Sequence, residues 1–372
     1  MKLLALLLMV SICDIAWSQY EEDDAYWWLS YIRSQQYSSQ QYSSQLYGNQ
    51  VYSYGPSYDY DPGPPPPSAT DCPQECECPP NFPTAMYCDS RNLKYLPYVP
   101  SRVKYAYFQN NQITAIPDGA FDNATGLVWL ALHGNQLLTD KVGRKIFTKL
   151  KGLERLYLQH NNLTRIPSGL PRSLRELHLS SNQISRVPSN ALEGLENLTA
   201  LYLHENQIPD VGGALRGLKS LVHLDLSNNQ LNKLPEKLPD TLEQLYLEYN
   251  QLSTVPSEYF KAYPKLQYVR ISHNRLTNEG VPGTTFNTSS IVELDLSYNQ
   301  LHRIPTVSTS LQHLYLQGNQ IAEFSVSSFC SFVDITSFSR LQVLRIDGNE
   351  IRSNAIPPDT PLCLRNADII HM

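Results

Sequence analysis

The sequence predicts an α/β solenoid: a curved horseshoe with a concave parallel β-sheet, capped by disulfides at both ends. Three observations predict it. An eleven-residue frame, LxxLxLxxNxL, recurs eleven times between Val103 and Ile351 and aligns Asn111, Asn135, Asn161, Asn182, Asn206, Asn229, Asn250, Asn274, Asn299, Asn319 and Asn349 in one column. Successive members of that column are 20 to 30 residues apart, the period of a chain built from stacked turns that each contact their neighbours. Within each frame the L-x-L portion alternates at period two, as a short strand with one buried face does. The cysteines outside the first 18 residues stand only at the two ends of this array.

Taken in order, residues 1–18 read as a secretory signal. Lys2 precedes an apolar run from Leu3 to Ile12, and Ala16-Trp17-Ser18 offers small residues before a cleavage point at Gln19. The run is too short to span a bilayer, no later stretch is long and apolar enough, and a soluble extracellular protein is expected. Residues 19–70 are different material: ten tyrosines, near-repeats of QQYSSQ and the run Pro64 to Pro67, with few aliphatic residues to bury. This tail is expected to be disordered. Six acids against Arg33 give it a net charge of −5, whereas residues 71–372 carry only −1. Tyr20, Tyr26, Tyr58 and Tyr60 stand beside acids, the setting for tyrosine sulfation, and a sulfated tail would attract heparin-binding proteins in a salt-dependent way.

Residues 71–102 form a cysteine cluster ahead of the first frame. Cys13 leaves with the signal, so six cysteines remain: Cys72, Cys76, Cys78, Cys88, Cys330 and Cys363. An even count in a secreted chain argues for disulfides, and zinc at the first four is the competing reading. Residues 103–351 carry the eleven frames, whose period is that of the leucine-rich repeat. The last spacing is enlarged: the repeat 320–349 holds extra residues from Phe324 to Phe338, including Cys330. A bridge to Cys363, in the C-terminal cap 352–372, would pin this repeat over the end of the solenoid. The caps matter because end turns otherwise expose leucine and unpaired strand edges.

The leucines are core, and the Asn amide is placed to satisfy backbone groups that the turn leaves unpaired. The residues between the last two leucines form a concave column: Tyr107, Ala131, Tyr157, His178, Tyr202, Asp225, Tyr246, Arg270, Asp295, Tyr315 and Arg345. At about 4.8 Å per strand it makes a rib of tyrosines interleaved with both charge signs. Tyr105, Trp129, Arg155, His223, Tyr268 and His313 flank it. Amphipathic aromatics with arginine are the composition of a protein-binding surface, which puts Tyr157, Tyr202 and Tyr246 among the candidate contact residues. A second copy of the chain could meet the same face. Sequons at Asn123, Asn162, Asn197 and Asn287 fall on the edges of the turns, where exposed glycans are expected. Seven histidines, from His133 to His313, are spread along the strand-to-turn portions and read as solvated face residues, too dispersed to converge on a metal. No nucleophile stands in an elbow or beside a base, and no glycine-rich phosphate loop is present. Neither an enzyme, a cofactor nor a nucleic-acid or membrane partner is expected.

Several features together resemble one family, the class II small leucine-rich proteoglycans. These are the spacing C-x3-C-x-C-x9-C from Cys72 to Cys88, the tyrosine-rich acidic tail, the alternation of short and long repeats, and the cysteine-tied long "ear" repeat. Trp27-Trp28, Asn81 to Cys88, Asp122 to Leu127 and Glu193 to Leu201 look like one branch of that class. The resemblance implies the pairs Cys72 with Cys78, Cys76 with Cys88 and Cys330 with Cys363. It implies keratan sulfate on some of the four sequons, sulfated tail tyrosines, and a place in the extracellular matrix. It further implies binding to fibrillar collagen (type I/II) with regulation of fibril diameter and cross-linking. A Glu-Ile-Lys that contributes to collagen binding in such proteins corresponds here to Glu350, Ile351 and Arg352. The alternative function is capture of growth factors of the TGF-beta type.

Overall fold

The computed structural model describes residues 71–332 and 338–370. The signal segment, the tail with Tyr20, Tyr26, Tyr58 and Tyr60, residues 333–337 of the ear and the last two residues lie outside the described residues, as do the expectations placed on them.

Each frame forms one three-residue strand. The strands are β1 (Ala85–Tyr87), β2 (Tyr105–Tyr107), β3 (Trp129–Ala131), β4 (Arg155–Tyr157), β5 (Glu176–His178), β6 (Ala200–Tyr202) and β7 (His223–Asp225). The series continues with β8 (Gln244–Tyr246), β9 (Tyr268–Arg270), β10 (Glu293–Asp295), β11 (His313–Tyr315), β12 (Val343–Arg345) and β13 (Asp368–Ile370). They lie in sequence order in one sheet, and every pairing is parallel and in register, Leu224 opposite Leu245 for example. The strands stay this short because only the central residue of each points inward; Leu177, Leu201, Leu224 and Leu245 are fully buried. The opposite side is turns and short 3-10 segments such as Thr139–Lys141 and Phe260–Ala262, lined by buried Phe121, Phe147, Phe260 and Phe286. Among the described residues the α component is one short helix, α1 (Thr360–Cys363), in the C-terminal cap.

Eleven frames account for β2 to β12, and the caps supply the other two strands. In the N-terminal cap Met86 and Cys88 take leucine positions and Arg91 takes the Asn position, which hid the copy from the frame. The outer edge of β1 is covered, since Glu77 and Tyr87 exchange backbone hydrogen bonds at 2.8 Å in an antiparallel bridge. Disulfides Cys72–Cys78 and Cys76–Cys88 tie that covering segment down. At the other end Cys330 of the ear is bonded to Cys363 of α1, after which β13 pairs with β12.

The asparagine column stitches the turns together. Asn229 Nδ2 donates to the carbonyls of Leu203, Leu226 and Ser227, and its Oδ1 accepts the Ile208 amide of the preceding turn at 3.0 Å. An Oδ1 acceptor bond of this kind recurs at all eleven positions, from Leu93 N–H to Asn111 through Ile321 N–H to Asn349. The residue before each Asn has positive φ, whether it is Asn110, His160, Tyr249 or Gly318. The frame requires a left-handed residue there because the chain must turn out of the strand within one residue.

Candidate functional site

In-register parallel strands place the residues of one concave column about 4.8 Å apart, which is stacking distance for planar rings. The rings use it. Tyr87 and Tyr107 stack at 4.8 Å, Trp129 and Tyr157 at 4.8 Å, Tyr157 and His178 at 4.3 Å, and His178 and Tyr202 at 4.2 Å. Tyr107 meets Trp129 at 6.5 Å, and His223 links Tyr202 (4.7 Å) to Tyr246 (5.1 Å), where the Arg270 guanidinium lies 4.9 Å from the ring centre. A continuous aromatic ladder therefore runs from β1 to β8, and the sequence, which showed tyrosines interleaved with charge, did not display that continuity.

From β9 onward charged residues dominate the face, interleaved with Tyr268, His313 and Tyr315. Arg270 pairs with Glu293 at 2.9 Å and Arg345 with Asp347 at 2.9 Å, while Asp295 accepts from the Ser297 backbone and hydroxyl. The aromatic half has its own polar ties: Arg155 bonds Glu176 at 2.9 Å, and the Tyr157 hydroxyl donates to the same carboxylate at 3.2 Å. Burial works to raise the Glu176 carboxyl, but His178 and Arg155 outweigh it and hold it below its ordinary value. Burial pushes the Tyr107 hydroxyl up to about 12 and raises Tyr157 further, so both stay neutral phenols.

Of the seven histidines expected to be solvated, His160 is exposed and the other six are half-buried. Burial pushes His133 down to about 4, with His160 nearby adding to the effect, and His204 sits 2.9 Å from Asp225. His178 and His223 are rungs of the ladder. Glu248, absent from the expected columns, is half-buried beside Asp225; burial pushes its carboxyl up to about 8 and leaves Oε2 without a hydrogen-bond partner among the described residues.

Beside the ladder runs a second, more exposed stack. Tyr249 and Tyr298, each half exposed, sandwich His273 at 4.0 and 4.3 Å. All three occupy the left-handed position before the Asn, a column that leucine spacing alone does not reveal.

Of the residues singled out in the sequence, Tyr157, Tyr202 and Tyr246 are brought together by the intervening histidines. Tyr157 is 8% exposed, so it offers little more than a ring edge. Glu350 and Arg352 lie elsewhere, exposed in the turn after β12, four strands beyond Tyr246. Asn123, Asn197 and Asn287 are exposed, as expected for glycan carriers. Asn162 departs from that expectation: it is half-buried because its backbone bridges to Leu138 of the neighbouring turn. Among the described residues no group of three His, Cys, Asp or Glu side chains could hold a metal ion, and no helix is long and apolar enough to cross a membrane.

Comparison with known proteins agrees with this geometry. The family model "Leucine rich repeat N-terminal domain" matches residues 71–101, and "Leucine rich repeat" models match 152–172, 172–231, 240–301 and 310–332. Fibromodulin of Bos taurus is 62% identical over 378 aligned residues, covering 100% of both chains. Lumican of Gallus gallus is 49% identical over 84% of this chain and 92% of its own. A chain in the octameric complex of latrophilin 3, Unc5D and FLRT2 superposes with a TM-score of 0.62 at 27% identity, covering 80% of this chain and 82% of that one. With two such relatives along its length and their repeat fold in its core, the chain belongs to the fibromodulin and lumican family, small leucine-rich repeat proteoglycans of the extracellular matrix.

Proposed function

We propose that this secreted matrix protein binds fibrillar collagen of type I or II through its concave face and last repeats, and so regulates fibril assembly, diameter and cross-linking. The observation that carries the reading is the ladder from Tyr87 to Tyr246, continued by the ionic columns around Arg270 and Arg345. Its rings are fixed by their neighbours, so little side-chain entropy is lost when a ligand docks. A rib of stacked aromatic rings followed by paired charges suits a rigid rod that offers imino-acid rings and both charge signs. Glu350 and Arg352, exposed and without an ion pair among the described residues, supply free charges at the far end. Keratan sulfate on Asn123, Asn162, Asn197 or Asn287, and sulfate on Tyr20, Tyr26, Tyr58 and Tyr60, then project from the bound molecule and limit lateral accretion of fibrils.

Co-sedimentation with reconstituted collagen fibrils at physiological salt tests this. Replacing both Glu350 and Arg352 by Ala, or both Tyr202 and Tyr246 by Ala, should lower affinity by at least about tenfold, the scale of losing an interface anchor. If the unaltered protein stays in the supernatant while a cationic cytokine of the TGF-beta type binds the tail in a salt-sensitive way, growth-factor capture takes the place of this reading.

A further inference from the structure

We infer that the rim behind β3 to β5, on the side away from the sheet, is a second binding site, for a linear sulfated polysaccharide. Residues 71–372 are close to neutral, yet the segment 141–186 holds ten Lys and Arg against only Glu154 and Glu176. Glu176 is spent on the concave face with Arg155. On the rim the cations form a row, one turn after another. Arg165 lies opposite Arg186 in a parallel bridge, and Thr164 N–H donates to Thr139 Oγ1 of the previous turn at 2.7 Å, which brings Lys141 alongside. Ser168 Oγ donates to the Arg144 carbonyl at 3.0 Å, adding Arg144 to the same surface.

Lys141, Arg144, Lys145 and Arg186 are exposed and have no ion pair among the described residues. Two acids stand near the row: Asp140, which lines its groove 2.9 Å from Arg165 with its side chain 89% exposed and so neutralises little, and Asp118, whose carboxylate lies against Gly143 on the preceding turn. The contrast within the same column is informative. Lys233, in the corresponding position behind β7, is held between Asp210 at 3.1 Å and Glu236 at 3.6 Å. Adjacent like charges are unfavourable across paired strands, and the solenoid needs no cation here, since the column takes Ala115 and Thr254 elsewhere.

A groove of about 520 Å³ runs through the row. Thr139 and Ser168 give it hydroxyls, Ile166 and Pro167 an apolar floor, and Arg144 and Arg165 guanidinium groups on its walls. Hydroxyls for sugar hydroxyls, an apolar strip for a ring face and planar donors for sulfate oxygens make a glycan site; an acidic peptide would use the cations alone. Because the row faces away from the concave columns, the site is independent of the collagen reading.

The test uses heparin as probe and the full chain with its N-glycans enzymatically removed, so that a sugar on Asn162 neither blocks nor fills the groove. Arg144→Ala with Arg186→Ala should weaken heparin binding at least tenfold at physiological salt and make its salt dependence shallower, since fewer counterions are released. Lys261→Ala with Lys265→Ala, an equally exposed pair behind β8, should leave binding unchanged, and collagen co-sedimentation of the Arg144/Arg186 variant should also be unchanged. The inference is overturned if that variant binds heparin like the unaltered chain, if the Lys261/Lys265 control loses as much, or if polyglutamate binds as tightly as heparin.

Discussion

Replacing Asn229 by Ala isolates what one rung of the asparagine column contributes. The amide makes four hydrogen bonds in a site that is 8% exposed. Its loss is not felt equally by the four partners. The Leu203 carbonyl still accepts from Asn206 Nδ2 at 3.0 Å, the Leu226 carbonyl from Asn250 Nδ2 at 3.0 Å, and the Ser227 carbonyl from the Glu205 amide at 3.0 Å. The Ile208 N–H has no such substitute and becomes a buried donor without an acceptor, at a cost of about 1–3 kcal/mol. Three carbonyls reduced from two bonds to one add a smaller amount, for a total of about 2–4 kcal/mol. Asn229→Asp should be at least as damaging, although it is nearly isosteric, because a carboxylate would face three carbonyl oxygens. Urea unfolding followed by circular dichroism measures both variants. A loss below about 0.5 kcal/mol for Ala, or an Asp variant as stable as the unaltered chain, would refute the assignment of this column as the stitching between turns.

Glu248 titrates near 4.5 when unfolded and at about 8 when folded, so between those values the folded chain holds a proton that the unfolded chain has released. Its contribution is full below pH 4.5 and is lost as pH rises through about 8; Glu248→Gln should remove this decline and raise stability at pH 9 by about 2 kcal/mol, the full shift being discounted for partial exposure. Melting temperatures at pH 6 and pH 9 check it, and an unaltered chain with no such fall, or a Gln variant with the same fall, contradicts it. Breaking Cys330–Cys363, which closes a separation of 33 residues, by serine substitution at both positions should cost roughly 3–4 kcal/mol in urea unfolding. No measurable loss would mean that the ear is held without its cystine.

The repeats were legible because a buried leucine stripe and an obligatory Asn are both local signals, repeated often enough to align. The N-terminal cap strand was not, because Met86, Cys88 and Arg91 satisfy the same geometry with different residues. Burial on the concave face was equally hidden. Tyr157 and His133 occupy positions that alternation assigns to the exposed side, yet neighbours one strand away enclose them. Alternation states which way a side chain points and is silent on how crowded that side is. Rings in adjacent parallel strands crowd it.

The crowding has an energetic consequence for the face as a whole. In a parallel, in-register sheet each column is a one-dimensional stack, and a ring worth about 0.5–1.5 kcal/mol against each neighbour supports two of them. Left-handed backbone is unfavourable for bulky residues, yet Tyr249, His273 and Tyr298 adopt it in successive turns. Their mutual stacking at 4.0 and 4.3 Å offsets a strain that Gly134 and Gly348 avoid in the same column. Gly318 shows how closely the stack is fitted: a Cβ there would fall 2.6 Å from the Tyr298 ring, so it is the neighbour's ring that calls for glycine, since bulkier residues take the same left-handed backbone elsewhere in the column. Removing an end ring such as Tyr87 should therefore disturb one contact, whereas removing His178 takes one from both Tyr157 and Tyr202, so substitutions along the ladder will not be additive.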